Sequence, residues 1–186
     1  MLALLTGISL LLAVITTITL VNMTVGHFLR RMRPVPEQRP SISVLIPARN
    51  EARNISTLLS LLRSQDYPQF SVTVLDDHST DETAAIVRTH ASEDKRISLL
   101  QGKVLPSGWT GKNWACHQLA ASADGELLLF VDADVQPSPM ALQHTVAGLY
   151  QRSADALSAF PLQLLHGISA ALIVPVMDLL LYCFLR

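Results

Sequence analysis

Residues 42–62, ISVLIPARNEARNISTLLSLL, decide the fold class. Ile42 to Ile46 (ISVLI) is a short, β-rich apolar run stopped by Pro47. A polar loop follows, and then Ile55, Leu58, Leu59, Leu61 and Leu62 recur at the spacing of one helix face. The unit reads as strand, loop, helix. Asp66-Tyr67-Pro68 ends that helix, because proline disfavours the helical conformation in the residue before it. Ser71 to Leu75 (SVTVL) then begins a second strand that closes on Asp76-Asp77. Ser79 or Thr80 is the expected cap of the next helix, with Asp81 and Glu82 in its first turn and Ala84 to His90 behind them. Further along, the pattern predicts a strand at Ile97 to Leu100, a helix over Lys112 to Ala123 and a buried strand at Glu126 to Val131 (ELLLFV). Strands alternating with helices predict an α/β domain with a largely parallel sheet.

Outward from this core the composition changes sharply. All but two of the charged residues lie between Arg30 and Asp155, the exceptions being Asp178 and Arg186. Residues 1–29 hold no Asp, Glu, Lys or Arg, and a helix of about 20 apolar residues spans a bilayer core, so Leu2 to Val21 is predicted to be a transmembrane anchor. A cleaved signal peptide fits less well, since the start lacks basic residues and Arg30, Arg31 and Arg33 follow the run. A buried core helix is the other reading. The basic flank places the polar domain on the cytoplasmic side of the cell membrane. Residues 30–40, ending in the three-proline stretch MRPVPEQRP, form a stiff extended linker. At the other end, 161–186 is apolar enough for a second membrane segment. Pro161, Gly167, Pro175 and Asp178 leave an interfacial or re-entrant helix as the competing reading.

The 186 residues suit one domain of ordinary size. With 14 Lys+Arg against 15 Asp+Glu, the net charge of -1 offers no basic excess, which argues against a partner held by nucleic-acid phosphates. Cys116 and Cys183 make no disulfide framework and suit a reducing compartment.

In open α/β sheets ligands sit beyond the carboxyl ends of the strands, and three such places here are polar. Pro47-Ala48-Arg49-Asn50-Glu51 offers loop amides and a carboxylate to a base or ribose, or is only a solvated loop before a helix. Asp76-Asp77 sets two carboxylates before a capped helix. Asp132-Ala133-Asp134 follows the most apolar strand of the polar domain, and in extended chain its two carboxylates point the same way, toward one hard cation. A solvated strand-end turn is the plainer alternative. The missing glycine and terminal glutamate exclude an EF-hand.

Taken together, VLIPARNE, VLDDHSTDET and FVDADV at successive strand ends resemble the GT-A nucleotide-sugar-binding half of family 2 glycosyltransferases. Pro106 to Cys116 (PSGWTGKNWAC) is similar to a segment of the membrane-bound branch that includes hopene-associated and carotenoid glycosyltransferases. The resemblance covers about residues 41–160. It implies a Rossmann-like GT-A domain over 41–160, with the N-terminal transmembrane helix and the C-terminal apolar membrane-associated segment flanking it. It assigns Pro47, Ala48, Arg49 and Glu51 to the nucleotide pocket, and Asp77, with Asp76 beside it, to the surroundings of the uracil. Asp132 falls near the ribose and the metal, and Asp134 ligates Mn2+ or Mg2+. Lys112 meets the donor diphosphate as a point charge, or is a solvated lysine at a helix start. Trp109 and Trp114 wall the sugar pocket or pack the loop, and packing is the expectation for Trp114. Cys116 has no evident orienting partner for a nucleophile's role.

The implied reaction is metal-assisted displacement from a nucleotide sugar, UDP-linked, onto a lipid or terpenoid acceptor at the membrane. The sequence departs from the family pattern in one respect. The family's base comes from an acidic motif well past the D-x-D, and after Asp134 only Asp155 and Asp178 remain. The base is therefore expected beyond Arg186, in a longer or separately encoded product. The alternatives are a catalytically inactive nucleotide-binding remnant, one part of a split enzyme and, more weakly, a nucleotidyltransferase.

Overall fold

The computed structural model describes residues 2–25 and 39–159, together with 161, 163, 167, 173, 174 and 177. The chain divides into two compact units, one of residues 1–28 with 158–186 and one of residues 29–157. Residues 30–38 of the predicted linker and nearly all of the predicted C-terminal membrane segment lie outside the described residues.

In the first unit, α1 (Leu2–Val25) is a single helix of 24 residues. Leu10, Leu11 and Leu12, about 100° apart around the axis, are all exposed, so apolar side chains cover more than one face of the helix. The Thr17 and Thr19 hydroxyls donate to the carbonyls of Ala13 and Ile15 at 2.8 and 2.9 Å, which satisfies them within the helix itself. Among the described residues no helix is long and apolar enough to be identified as crossing a membrane. The described side chains of α1 cover only 5–21.

The second unit is built on β1 (Ile42–Ala48), β2 (Phe70–Asp76), β3 (Ile97–Gln101) and β4 (Leu127–Phe130). They form one parallel sheet in the order β3-β2-β1-β4. Between them run α2 (Ile55–Arg63), α3 (Thr83–Glu93) and α4 (Gly111–Ser122), and α5 (Ala141–Gln151) follows β4. β1 is buried almost without interruption, as expected of a central parallel strand covered on both faces. Val44 and Ile46 pack with Leu58, Leu62, Val87 and Leu142 from α2, α3 and α5. Leu45 and Leu75 meet Ala115 and Leu119 of α4 on the opposite face.

The chain steps from β1 out to β3 and then crosses back to lay β4 on the other side of β1. That reversal opens a crevice at the carboxyl ends of β1 and β4. Two local devices hold β4 in place. A Cβ built on Gly125 would stand 2.6 Å from the Ser43 amide nitrogen, so only glycine lets the chain run this close to β1. After β4, the buried Gln65 donates to the Ser138 carbonyl at 2.8 Å and accepts from the Leu142 amide at 3.2 Å, tying the start of α5 to the end of α2.

Four expectations are corrected. β1 runs on through Pro47, which pairs with Leu75, and ends at Ala48. β4, at the edge of the sheet, is not a buried strand, since Leu128 is 47 % and Phe130 46 % exposed. Helix α3 begins at Thr83, later than a cap at Ser79 or Thr80 requires. Those two residues hydrogen-bond to the preceding loop instead. Strand β4 ends at Phe130, and the Val135 amide donates to the Asp132 carbonyl at 3.1 Å. Asp132-Ala133-Asp134 is therefore a turn, not extended chain.

Candidate functional site

At the carboxyl end of the sheet a cleft of about 390 Å³ opens, lined by residues from four separate stretches of sequence. β1 and its loop supply Pro47, Ala48, Arg49 and Glu51. Asp77 follows β2, Gly111, Lys112 and Ala115 come from the first turns of α4, and Asp132 and Asp134 follow β4. The topology holds them there, since the loops after β1, β2 and β4 and the start of α4 all lie on the edge where the chain reverses. Pro47, Ala48, Arg49, Glu51, Asp77, Lys112, Asp132 and Asp134, all singled out in the sequence, thus meet in one place.

Asp76 does not meet them. It is 3 % exposed, its Oδ1 accepts from the Ser79 amide at 3.2 Å and its Oδ2 from Gln101 Nε2 at 3.1 Å. The alternation of the strand turns Asp76 inward as a brace for the following loop and leaves Asp77 to the cleft. Asp77 Oδ2 stands 3.8 Å from Arg49 Nη1, and a Cβ on Gly111 would be 3.6 Å from the same oxygen. The ends of β1 and β2 and the start of α4 thus meet at this carboxylate.

The first loop is not a free anion nest. The Asn50 amide donates to Ser79 Oγ at 3.0 Å, the Glu51 amide to Thr83 Oγ1 at 2.8 Å and the Ala52 amide to Asp81 Oδ2 at 3.1 Å. In return, Asn50 Oδ1 accepts from the Thr80 amide at 2.8 Å. The amides expected to hold a base or ribose are spent on locking the loops after β1 and β2 to each other. Asn50 and His78 adopt left-handed backbone, with φ of 57° and 56°, at matching points of these loops. Hydrogen bonds from the Thr83 hydroxyl and from the Thr83 and Ala52 amides hold the Asp81 carboxyl below its ordinary value. This interlock was missed from sequence. The run Ser79-Thr80-Asp81 has the composition of a helix cap, and nothing in it says that its partners lie 29 or 30 residues upstream.

On the other wall, Lys112 Nζ donates to Asp132 Oδ1 at 2.7 Å, and that hydrogen bond raises the lysine's pKa. Both groups are exposed, so the pair is worth little in stability. Its interest is chemical, because a cation already sits on one carboxylate of the pair. Asp132 and Asp134 both face outward while Ala133 is buried between them, so the turn still offers two carboxylates to the cleft. Among the described residues no three His, Cys, Asp or Glu side chains group closely enough to form a metal cage. Two hard oxygen donors are nevertheless what a divalent cation needs when the phosphates of a bound nucleotide complete its shell.

Thr110 gives α4 no side-chain cap. Trp114 packs the preceding loop as expected, with its indole N–H on the Lys103 carbonyl at 3.2 Å. Trp109 is also outside the cleft lining, with its ring 5.2 Å from that of Trp114 and 5.0 Å from that of His117. Burial pushes the Cys116 thiol upward in pKa, with Asp132 adding to the effect and Lys112 opposing it, which disfavours the thiolate.

Comparison with known proteins agrees with this geometry. The family model "Glycosyl transferase family 2" matches residues 43–162. The chain is 35% identical over 115 residues to a beta-monoglucosyldiacylglycerol synthase of Nostoc sp., covering 61% of this chain and 24% of that protein. It is 37% identical over 100 residues to a 4,4'-diaponeurosporenoate glycosyltransferase of Staphylococcus haemolyticus, covering 54% and 26%. Among solved structures it is similar to the mannosyltransferase PcManGT from Pyrobaculum calidifontis in complex with GDP-Man and Mn2+. The TM-score is 0.55 at 28% identity, over 74% of this chain and 43% of that one. S. aureus TarS 1-349 in complex with UDP gives a TM-score of 0.51 at 28% identity, over 68% and 40%. The matched region is about a quarter of the length of these two curated relatives.

Proposed function

The chain belongs to glycosyl transferase family 2, and we propose that it is the donor-binding part of a membrane-anchored enzyme that moves a sugar from a UDP-sugar to a lipid or terpenoid acceptor. The observation that carries this reading is the cleft at the strand-order reversal, which gathers four carboxylates, an arginine, a lysine and a helix start without a side-chain cap. A nucleotide sugar presents a diphosphate, and each of these groups answers to it. The first-turn N–H groups of α4 favour an anion at the helix mouth, and Lys112 adds a point charge beside them. Asp77, backed by Arg49, accepts a hydrogen bond from the base. Asp132 and Asp134 would hold a divalent cation, Mn2+ or Mg2+. That cation supplies charge neutralisation on the departing diphosphate.

In the proposed reaction an acceptor hydroxyl oxygen bonds to the anomeric carbon as the bond from that carbon to the diphosphate breaks. The hydroxyl proton passes to a base, and UDP leaves. The cleft carboxylates assigned above are committed to donor and cation, so the base comes from a further segment of the longer enzyme. The similar structures were solved with GDP-Man and Mn2+ in one case and with UDP in the other, and the named relatives are a beta-monoglucosyldiacylglycerol synthase and a 4,4'-diaponeurosporenoate glycosyltransferase. These support a nucleotide-sugar donor and a lipid-like acceptor. The anchor is α1, with Arg30, Arg31 and Arg33 holding the domain on the cytoplasmic side.

Calorimetric titration of UDP with and without Mn2+ tests the site. Asp134→Ala should weaken metal-dependent UDP binding by about tenfold or more with an unchanged far-ultraviolet circular dichroism spectrum. Unchanged heats would remove Asp134 from the cation. Asp77→Ala should weaken UDP more than pyrophosphate, and equal loss of both would place it away from the base.

A further inference from the structure

We propose that the loop between β3 and α4, residues 103–110, contacts lipid and seats at the boundary of headgroups and acyl chains beside the mouth of the cleft. All eight residues are exposed. Val104 is 83 % exposed, Leu105 49 % and Trp109 42 %, three large apolar side chains exposed within one short loop, where isolated ones would need no explanation.

This tip is presented by a braced base. The Lys103 amide donates to Gln118 Oε1 at 2.8 Å, and its carbonyl accepts from the Trp114 indole, so the loop's root is fixed to α4. The Trp109 amide closes a turn on the Pro106 carbonyl at 3.3 Å. Gly108 supplies a φ of 85° at the third position of that turn. The rings of Trp114 and His117 then support Trp109 from one side.

The chemistry of the tip selects the occupant. Tryptophan concentrates where apolar and aqueous phases meet, and a shallow apolar insertion is strengthened by cationic side chains facing lipid phosphates. The exposed Lys103 is such a cation, whereas Lys112 is engaged with Asp132. Three apolar side chains cannot bury the roughly 1,000 Å² that a stable protein interface needs, but a bilayer accepts them without matching their shape. The loop leads directly into Gly111 and Lys112 of the cleft wall. Lipid contact here would hold the cleft's mouth at the surface from which a lipid acceptor must enter. In that respect the inference rests on the membrane reading above.

The chain has only two tryptophans, Trp109 and Trp114, which makes the test clean. The full chain, as Trp114→Phe or Trp109→Phe, is reconstituted into vesicles of equal parts phosphatidylcholine and phosphatidylglycerol, with and without brominated acyl chains. Trp109 should be blue-shifted and lose about half its emission or more in brominated vesicles, as a ring at the acyl boundary would; Trp114, whose ring lies 5.2 Å from that of Trp109, should follow it in part. Val104→Asp with Leu105→Asp should abolish that quenching while the protein still floats with the vesicles. Flotation with Trp109 neither blue-shifted nor quenched overturns the loop assignment and leaves the anchor standing. A blue-shifted but unquenched Trp109 means that protein covers the loop, which also overturns it. Failure to float overturns loop and anchor together.

Discussion

Asn50 carries more of the cleft's geometry than its size suggests. It sits at a φ of 57°, its amide donates to Ser79, and its side-chain oxygen accepts from the amide and the hydroxyl of Thr80. Asparagine tolerates left-handed backbone better than most residues. Asn50→Ala adds strain and removes the side-chain half of the interlock, at a cost of about 2 kcal/mol, read from the urea midpoint. Asn50→Gly should recover the backbone share and not the hydrogen bonds. Both variants should weaken UDP binding, because Arg49 and Asp77 flank the joint. A fully native midpoint in Asn50→Ala would show that the loops hold without it. Asp94, remote from the cleft, supplies the pH signature. The hydrogen bonds of Arg96 lower its pKa from 3.8 to about 2 against the opposing effect of burial. A depressed carboxylate stabilises the fold fully above its unfolded value and progressively less as pH falls through its folded one. Asp94→Asn should therefore lower stability at neutral pH and flatten the loss between about pH 4 and pH 2. Parallel acid-unfolding curves for the two proteins would contradict the pairing.

At the scale of the element, the strands were legible because their apolar runs lie between turn residues: β2 and β3 fall within a residue of the expected bounds, and β1 runs two residues longer, through Pro47. What hydrophobic period cannot convey is strand order. Nothing in ELLLFV says that it pairs with β1 and not with β3, although that choice creates the cleft. The same gap explains Asp76 and Asp77. Their adjacency was visible, but which of them faces the crevice depends on the register of β2. The start of α3 was misplaced because residues of capping type were serving a tertiary contact. Gly125 tests the β1 to β4 seam. A methyl group at Gly125→Ala would meet the Ser43 amide and side chain, so β4 must shift, at a cost of about 1–3 kcal/mol. That shift carries Asp132 and Asp134 with it. We expect a lower melting temperature together with weaker Mn2+-dependent UDP binding, whereas lost stability with unchanged binding would mean that the turn is positioned independently of the strand.

For the whole molecule, the proposed anchor and the proposed donor site impose separable demands on the sequence. The charged residues crowd into the α/β unit, while α1 has none in 24 residues and exposes apolar side chains on more than one face. At about 1.5 Å per residue its length is ~36 Å against a hydrocarbon core of about 30 Å, and the proposal that it crosses makes a demand that can be tested. A charge near its middle should then be felt by the membrane and not by the cleft. Leu12 is 58 % exposed and lies near the centre of the helix. Leu12→Arg should disfavour insertion by about 3 kcal/mol and move a large share of the protein into the carbonate-soluble fraction, while calorimetric UDP binding stays unchanged. Leu12→Ala, which adds no charge, should remain in the membrane pellet. If Leu12→Arg is extracted no more readily than the parent protein, α1 does not cross the bilayer. The apolar faces of the helix would then have to be covered by protein, and the membrane would lose its role in presenting the acceptor.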